Sequence, residues 1–502
     1  MVLHTQSAPS VPIASILVAR FLRSNNYTES LNTFIREAGL PSDVGQTAGR
    51  QVTSKSIDDP GNADQWTLED IIQEKKRFDH SLRFERYGES QSQIDKWNTR
   101  APSQPKVIET PSSTNILSVS VGPWRLSEEQ TSEVAVPYIV ATGADKRLSL
   151  FNADADNTTA LSIPGLSDSP ILSHTGICHG LLQLITNMSG QLLLVQNDQV
   201  IDRRNDHNKY AVQVKAYEDQ DNHVWITTAG WDARVFIYRM ELPSPSNEAA
   251  IGDPVGTIKL PTNPESILIV RNPENQELVL LVSRRDSTYI YFYSLEHMRS
   301  INMLVKCEES GKQNLAPHSN AWVAFSPSCL ALSPHNPGLI AVALSTLPHM
   351  KVMIVRLLFP SGDDRTITNN DKSNASVEAT MSLRTDESTS ESHLTQAMTA
   401  LALQNREDAA IIIQTNTLAP QTAYSTPQVV WRPDGSGLWV NGDDGIIRGV
   451  EAKTGKVVTI LENGHEAGSK VRSIWAGWVS SKDSKEEWVV SGGFDKRLIV
   501  WK

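Results

Sequence analysis

Cysteine is scarce: Cys178, Cys307 and Cys329 are the only three in 502 residues, and no two of them form a Cys-x-x-Cys pair. That spacing supplies neither a disulfide framework nor a zinc-ligand set, and it fits a reducing interior better than the secretory path. Long apolar runs are missing as well. Runs such as Leu278–Val282 fall far short of the roughly 18 residues that a spanning helix needs. The apolar stretch Val11–Ala19 has no Lys or Arg ahead of it and is interrupted by Arg20, so no secretory signal is expected. Positive charge is in deficit, with 46 Lys and Arg against 57 Asp and Glu and a formal net charge of −11. Such a chain has little field for non-specific nucleic-acid or anionic-membrane binding. Phosphate-loop and dinucleotide glycine patterns, HExxH and Cys/His clusters are all absent. The expectation is an intracellular protein with no cofactor or metal, no membrane insertion and no direct nucleic-acid contact.

What the chain does have is enough apolar material (39% of residues against 21% charged) for a sizeable core, and a Trp-heavy aromatic set. The first forty residues read as two short helices. Ile13, Leu17 and Phe21 recur at four-residue spacing with Ile16 beside them, after Ser10 and Pro12 as start signals. Ser24-Asn25-Asn26 breaks the pattern, and Asn tolerates a left-handed turn. Thr28 is placed to cap a second helix carrying Leu31, Phe34, Ile35 and Ala38, which Gly39 and Pro41 stop. Two such helices bury too little to stand alone. The stretch resembles the LisH (lissencephaly homology) motif, with Leu17, Phe21, Leu22, Tyr27, Ser30, Phe34, Glu37 and Ala38 at its positions and Asn26 where Gly is usual. The resemblance implies a homodimer of paired hairpins, with Leu17, Phe21, Leu22, Tyr27, Leu31, Phe34 and Ile35 in the contact. The alternative is a hairpin packed on its own chain.

Residues 41–104 read as polar linker, interrupted by a helix near 67–87 that bears Lys75, Lys76 and Arg77. From 105 to 502 the chain repeats. Trp488–Trp501 reads as a strand, a tight turn carrying Asp495, and a second alternating strand ending in Trp. The frame recurs at Tyr138–Phe151 around Asp145 and at Trp225–Tyr238 around Asp232. Weaker copies surround Asp286 and Asp444, and degenerate ones lie near Ser189 and Thr346. A carboxylate at the turn can accept backbone N–H groups and hold it closed, while alternation puts every second side chain between neighbouring sheets.

In the last copy His465, Ser491, Asp495 and Trp501 stand at the spacing of the Asp-His-Ser-Trp tetrad of WD (WD40) repeats, and His207, Thr228, Asp232 and Tyr238 nearly repeat it. This part resembles a WD-repeat β-propeller, which implies a mainly β fold of seven blades. A polar stretch over about 361–408 reads as a disordered insertion in the fifth blade, after which Ala409–Gln414 resumes the sheet. The last blade lacks its outer strand, and Lys106–Glu109 is expected to supply it and close the ring.

Ser491, His465 and Asp495 include all three residue types of a nucleophilic relay, but the repeated frame explains them as a turn clasp. Trp231-Asp232-Ala233-Arg234 spells a WDxR box used by some propellers on cullin ligases, yet it begins at the turn rather than at the end of the third strand. The remaining expectation is a non-catalytic dimeric scaffold that binds other proteins or peptides on its propeller. A ubiquitin-ligase receptor and, less plausibly, a propeller enzyme are the alternatives.

Overall fold

The computed structural model describes residues 13–44, 68, 97, 99–126, 137–242, 249–298, 304–318, 325–360, 403–480 and 485–502. The expected helix near 67–87 and most of the insertion lie outside these residues. The chain divides into two compact units, Met1–Gln91 and Ser92–Lys502.

In the first unit, α1 spans Ile13–Ser24 and α2 spans Thr28–Glu37. Asn26 takes the left-handed conformation between them (φ 58°) and Gly39 takes it after α2 (φ 61°), as residues free of a large side-chain penalty can. Tyr27, not Thr28, precedes the first turn of α2, and no side chain caps it. Thr28 already lies inside the helix. Ala19 and Leu31 are buried within the hairpin, but Leu17, Phe21, Leu22, Phe34 and Ile35 are only partly covered and Tyr27 is exposed.

The second unit is a seven-bladed propeller, with six blades of four strands and one of five among the described residues. In chain order the blades begin with the inner strands Ile116–Pro123, Ile171–Ile177, Ala211–Glu218, Pro264–Arg271, Pro327–Leu332, Val429–Trp431 and Val471–Ser480. The seven turn positions read from the sequence fall one per blade. Six of the inner strands carry a register shift next to their first residue, an irregularity that bends a strand and re-aims its side chains. At four seams the residue after the shift accepts a backbone N–H from the next inner strand. Ser473 Oγ takes Val119 N (3.1 Å), Ser173 Oγ takes Val214 N (3.2 Å), Gln213 Oε1 takes Ile267 N (2.9 Å) and Ser266 Oγ takes Leu330 N (3.1 Å). The inner rim is thus cross-linked blade to blade.

The core is not a single centre but seven apolar layers, one in each seam. Alternation produces this: in blade two Leu182 and Leu184 face blade three while Ile185 and Leu193 face blade one. Closure follows the expected route, with Val107 opposite Ile499 and Ile108 opposite Leu498. Blade five resumes with Ile411–Pro420 against His349–Arg356, preceded by helical residues 403–410 where the sequence suggested insertion and strand. Blade three gains a fifth strand, Val305–Lys306, running parallel to Gly256–Lys259. The linker ends earlier than 104, because Trp97 and Ala101 pack in the layer between blades six and seven.

Candidate functional site

The residues singled out in the last repeat form one hydrogen-bonded chain. Trp501 Nε1–H donates to Ser491 Oγ at 2.9 Å, and Ser491 Oγ lies 2.8 Å from His465 Nε2. His465 Nδ1 lies 3.0 Å from Asp495 Oδ2. A carboxylate only accepts, so Nδ1 donates to Asp495, while Ser491 Oγ, which accepts from Trp501, has its own hydroxyl hydrogen to offer Nε2. Asp495 also takes the backbone N–H of Glu466 (2.9 Å) and of Arg497 (3.2 Å). The chain therefore ties the loop before blade seven to the turn between its second and third strands. Burial pushes the Asp495 carboxyl up, but the His465 bond and charge and the two backbone N–H groups outweigh it and hold its pKa below the ordinary value. Direct burial of the side chains (His465 1% and Asp495 0% exposed) leaves no room for a substrate at this trio.

Blade three repeats the clasp with one change. His207 Nδ1 meets Asp232 Oδ1 at 3.0 Å and His207 Nε2 meets Thr228 Oγ1 at 2.9 Å. Asp232 takes the N–H groups of Asn208 and Arg234, and its pKa is lowered by the same balance of burial against His207 and backbone bonds. Tyr238, at the tryptophan position, donates its hydroxyl to Asp206 at 3.0 Å. Burial first, and then Asp206, raises the Tyr238 pKa.

The other turn aspartates divide. Asp145 accepts Arg147 N at 3.3 Å and the Ser112 hydroxyl, and Asp444 accepts Ile446 N at 3.2 Å and both terminal nitrogens of Arg448. Asp286 does not follow. Its turn runs from the Ser283–Ile290 pair, one residue longer than the turn closed by Gly492–Leu498, and Asp286 itself is left-handed (φ 57°). Its backbone N–H is held by Ser326 Oγ of blade five (3.0 Å), and the turn-closing acceptor is Ser287 Oγ, which takes Tyr289 N at 3.3 Å.

Trp231 of the WDxR string is 43% exposed and stacks on Tyr210 at 5.2 Å. Phe494, at the matching turn position of blade seven, is 42% exposed. Asp232, the second residue of the string, is committed to the blade-three clasp.

Two features were not read from the sequence. Arg432 in blade six is fully buried and places Nε 3.1 Å from both carboxylate oxygens of Glu487 in blade seven, with Trp439 Nε1 donating to the same carboxylate at 3.1 Å. The second is His174 on the inner strand of blade two. Its Nε2 lies 2.6 Å from Ser120 Oγ. Burial, and then the charge of Lys215, lower its pKa to about 4, so the ring is neutral at pH 7 and a weak base there. Its Nδ1 has no hydrogen-bond partner among the described residues, so no carboxylate orients it as a nucleophilic relay requires. Burial raises all three thiols, Cys178 and Cys307 to about 11. Among the described residues no group of three or more His, Cys, Asp or Glu is arranged to hold a metal ion, and no helix is long and apolar enough to cross a membrane.

No curated protein matches this chain. Residues 113–502 match the beta-propeller domain of the UCP007778 family, and residues 15–42 match its LisH domain. The two matches coincide with the seven-bladed ring and with α1 and α2, and the chain belongs to the UCP007778 family.

Proposed function

We propose that the protein is a non-catalytic, dimeric scaffold that presents two WD-type propellers to protein or peptide partners. The observation that carries this reading is the pairing, in one chain, of a helical hairpin with uncovered apolar side chains and a rigid disc whose polar constellations are spent on its own closure. Leu17, Phe21, Phe34 and Ile35 keep apolar surface that a single hairpin leaves wet, and a second copy of the hairpin is the simplest cover. The clasps at His465 and His207 support the WD assignment, and their burial supports a structural role. Tyr210, Trp231 and Phe494 give the turn-bearing face amphipathic aromatic surface of the kind enriched at interface anchors.

Dimerisation multiplies weak contacts: two discs on one pair of tethers bind a two-site partner more tightly than either disc alone. Affinity purification of the intact chain beside one lacking residues 1–40 tests the proposal. The same proteins are expected with both, held more weakly by the shortened chain. An intact chain that retains none, or that turns over a substrate in the absence of partners, overturns it.

A further inference from the structure

Blade seven is held in the ring from two sides. Pro105–Ile108 supplies its outer strand, and Lys502 exchanges backbone bonds with Ser103 and Gln104. The second hold lies upstream, where Trp97 enters a slot between blades six and seven. Its ring lies 4.2 Å from the Arg432 guanidinium and edge-on to Trp439 at 5.4 Å. Two strand glycines make the slot. A Cβ at Gly437 would stand 2.3 Å from Trp97 Cζ3 and 2.7 Å from Val450 O, and one at Gly449 would stand 2.5 Å from Thr459 Cγ2 and 2.6 Å from Trp97 Cη2. Gly449 pairs with Trp439 and Gly437 with Glu451, so both lie on the sheet face that the indole covers. Glycine weakens a strand and marks close approach of another group.

Polar contacts fix the register of the inserted segment. Trp97 N donates to Glu451 Oε1 at 3.3 Å. Thr99 Oγ1 donates to Asp434 Oδ2 at 2.7 Å and accepts Arg432 Nη2 at 2.8 Å. The floor beneath is the Arg432–Glu487 pair, braced by Ser436 and Trp439, and it belongs wholly to blades six and seven. Among the described residues the contacts at Trp97 and Thr99 are made by side chains or a single N–H, with no strand pairing, so the slot reads a tryptophan followed two residues later by a hydroxyl.

We propose that this slot is a recognition site for a Trp-x-Thr segment, filled in cis by Trp97 and Thr99, and that the filled state is a detachable latch distinct from the strand closure at Pro105–Ile108. The cis segment competes with an incoming one, because a slot open for a fraction f of the time binds in trans with affinity reduced by f.

The test uses the full chain, its Trp97→Ala variant and an acetylated, fluorescent peptide of residues 96–104. Saturable binding to Trp97→Ala is expected, with binding to the wild-type chain at least about ten-fold weaker. A peptide carrying the same Trp→Ala change should not bind. A peptide carrying Thr99→Val should bind Trp97→Ala at least about ten-fold more weakly, since it loses the bonds to Asp434 and Arg432. Hydrogen exchange on the wild-type chain gives a second reading that needs no variant. The Trp97 N–H, held by Glu451, should exchange before those of 106–108 and 498–501, since local opening is the cheaper event. Equal binding to both chains, no binding to a folded Trp97→Ala, or exchange of the Trp97 N–H together with 106–108 as one unit overturns the proposal.

Discussion

Replacing Ser491 with Ala is the sharpest probe of the clasp in blade seven. The change removes one oxygen, buried at 0% exposure, and leaves backbone and apolar packing in place. Two partners lose their bond at once: the Trp501 indole N–H, which donated at 2.9 Å, and His465 Nε2, which accepted at 2.8 Å. Each buried polar group left unmatched costs about 1–3 kcal/mol, so the variant should lose about 4 kcal/mol. Thr228→Val in blade three is the internal comparison. It strands His207 Nε2, while Tyr238 loses its contact with the Thr228 hydroxyl but keeps its donor bond to Asp206, and it should cost about 2 kcal/mol. Urea unfolding of the intact chain, read as midpoint and slope, supplies both numbers. Trp501→Phe removes the stranded donor, so the double variant Ser491→Ala/Trp501→Phe should be less damaged than the sum of its singles by about 1 kcal/mol or more. A Ser491→Ala loss within about 0.5 kcal/mol of zero, the range of featureless surface changes, would refute the reasoning, as would a Thr228→Val loss equal to or above it.

Acid should attack the same clasps. Native Asp232 and Asp495 titrate below the ordinary 3.8, so their stabilisation is complete above that value and drains as pH falls through the lower native values. The melting temperature of the wild-type chain should therefore drop more steeply below pH 4 than that of Asp232→Asn/Asp495→Asn, and parallel curves would contradict this. Arg432→Met strands the buried Glu487 carboxylate and should cost about 3–5 kcal/mol in urea unfolding, whereas Arg432→Met/Glu487→Leu should recover most of the loss. Ile108→Asp puts a charge into the layer between blades seven and one, and limited proteolysis should then cut first near 105–108 and the C-terminus. Phe34→Ala/Ile35→Ala should leave the propeller's unfolding midpoint unchanged while abolishing self-association in sedimentation.

The blade frame was legible because strand alternation and a turn acceptor repeat at nearly fixed distance, and because the clasps in blades three and seven need particular side chains. Closure was legible because Lys106–Glu109 is an extended apolar segment just ahead of the first inner strand, and Pro105–Ile108 pairs with Leu498–Trp501. Asp286 shows where such reading fails. One added turn residue moves the acceptor to Ser287 without changing the local composition. Trp97 was hidden by its polar neighbours, because its partners Arg432, Gly437 and Gly449 lie more than three hundred residues away and no local period connects them. The Arg432–Glu487 pair, 55 residues apart in neighbouring blades, was also invisible, because no local period connects its members. Each residue alone looks like an ordinary charged side chain of a surface strand, and only the packing of two blades buries both. Thr28 is the smaller case, a capping residue by type that the turn geometry at Asn26 shifts into the helix.

Light scattering on the purified chain, with and without residues 1–40, tests the scaffold account most directly. The intact chain should elute at twice its 55.4 kDa mass at micromolar concentration, and the shortened chain as a folded monomer with the same β spectrum. An intact chain that stays at 55.4 kDa up to the highest soluble concentration would contradict it.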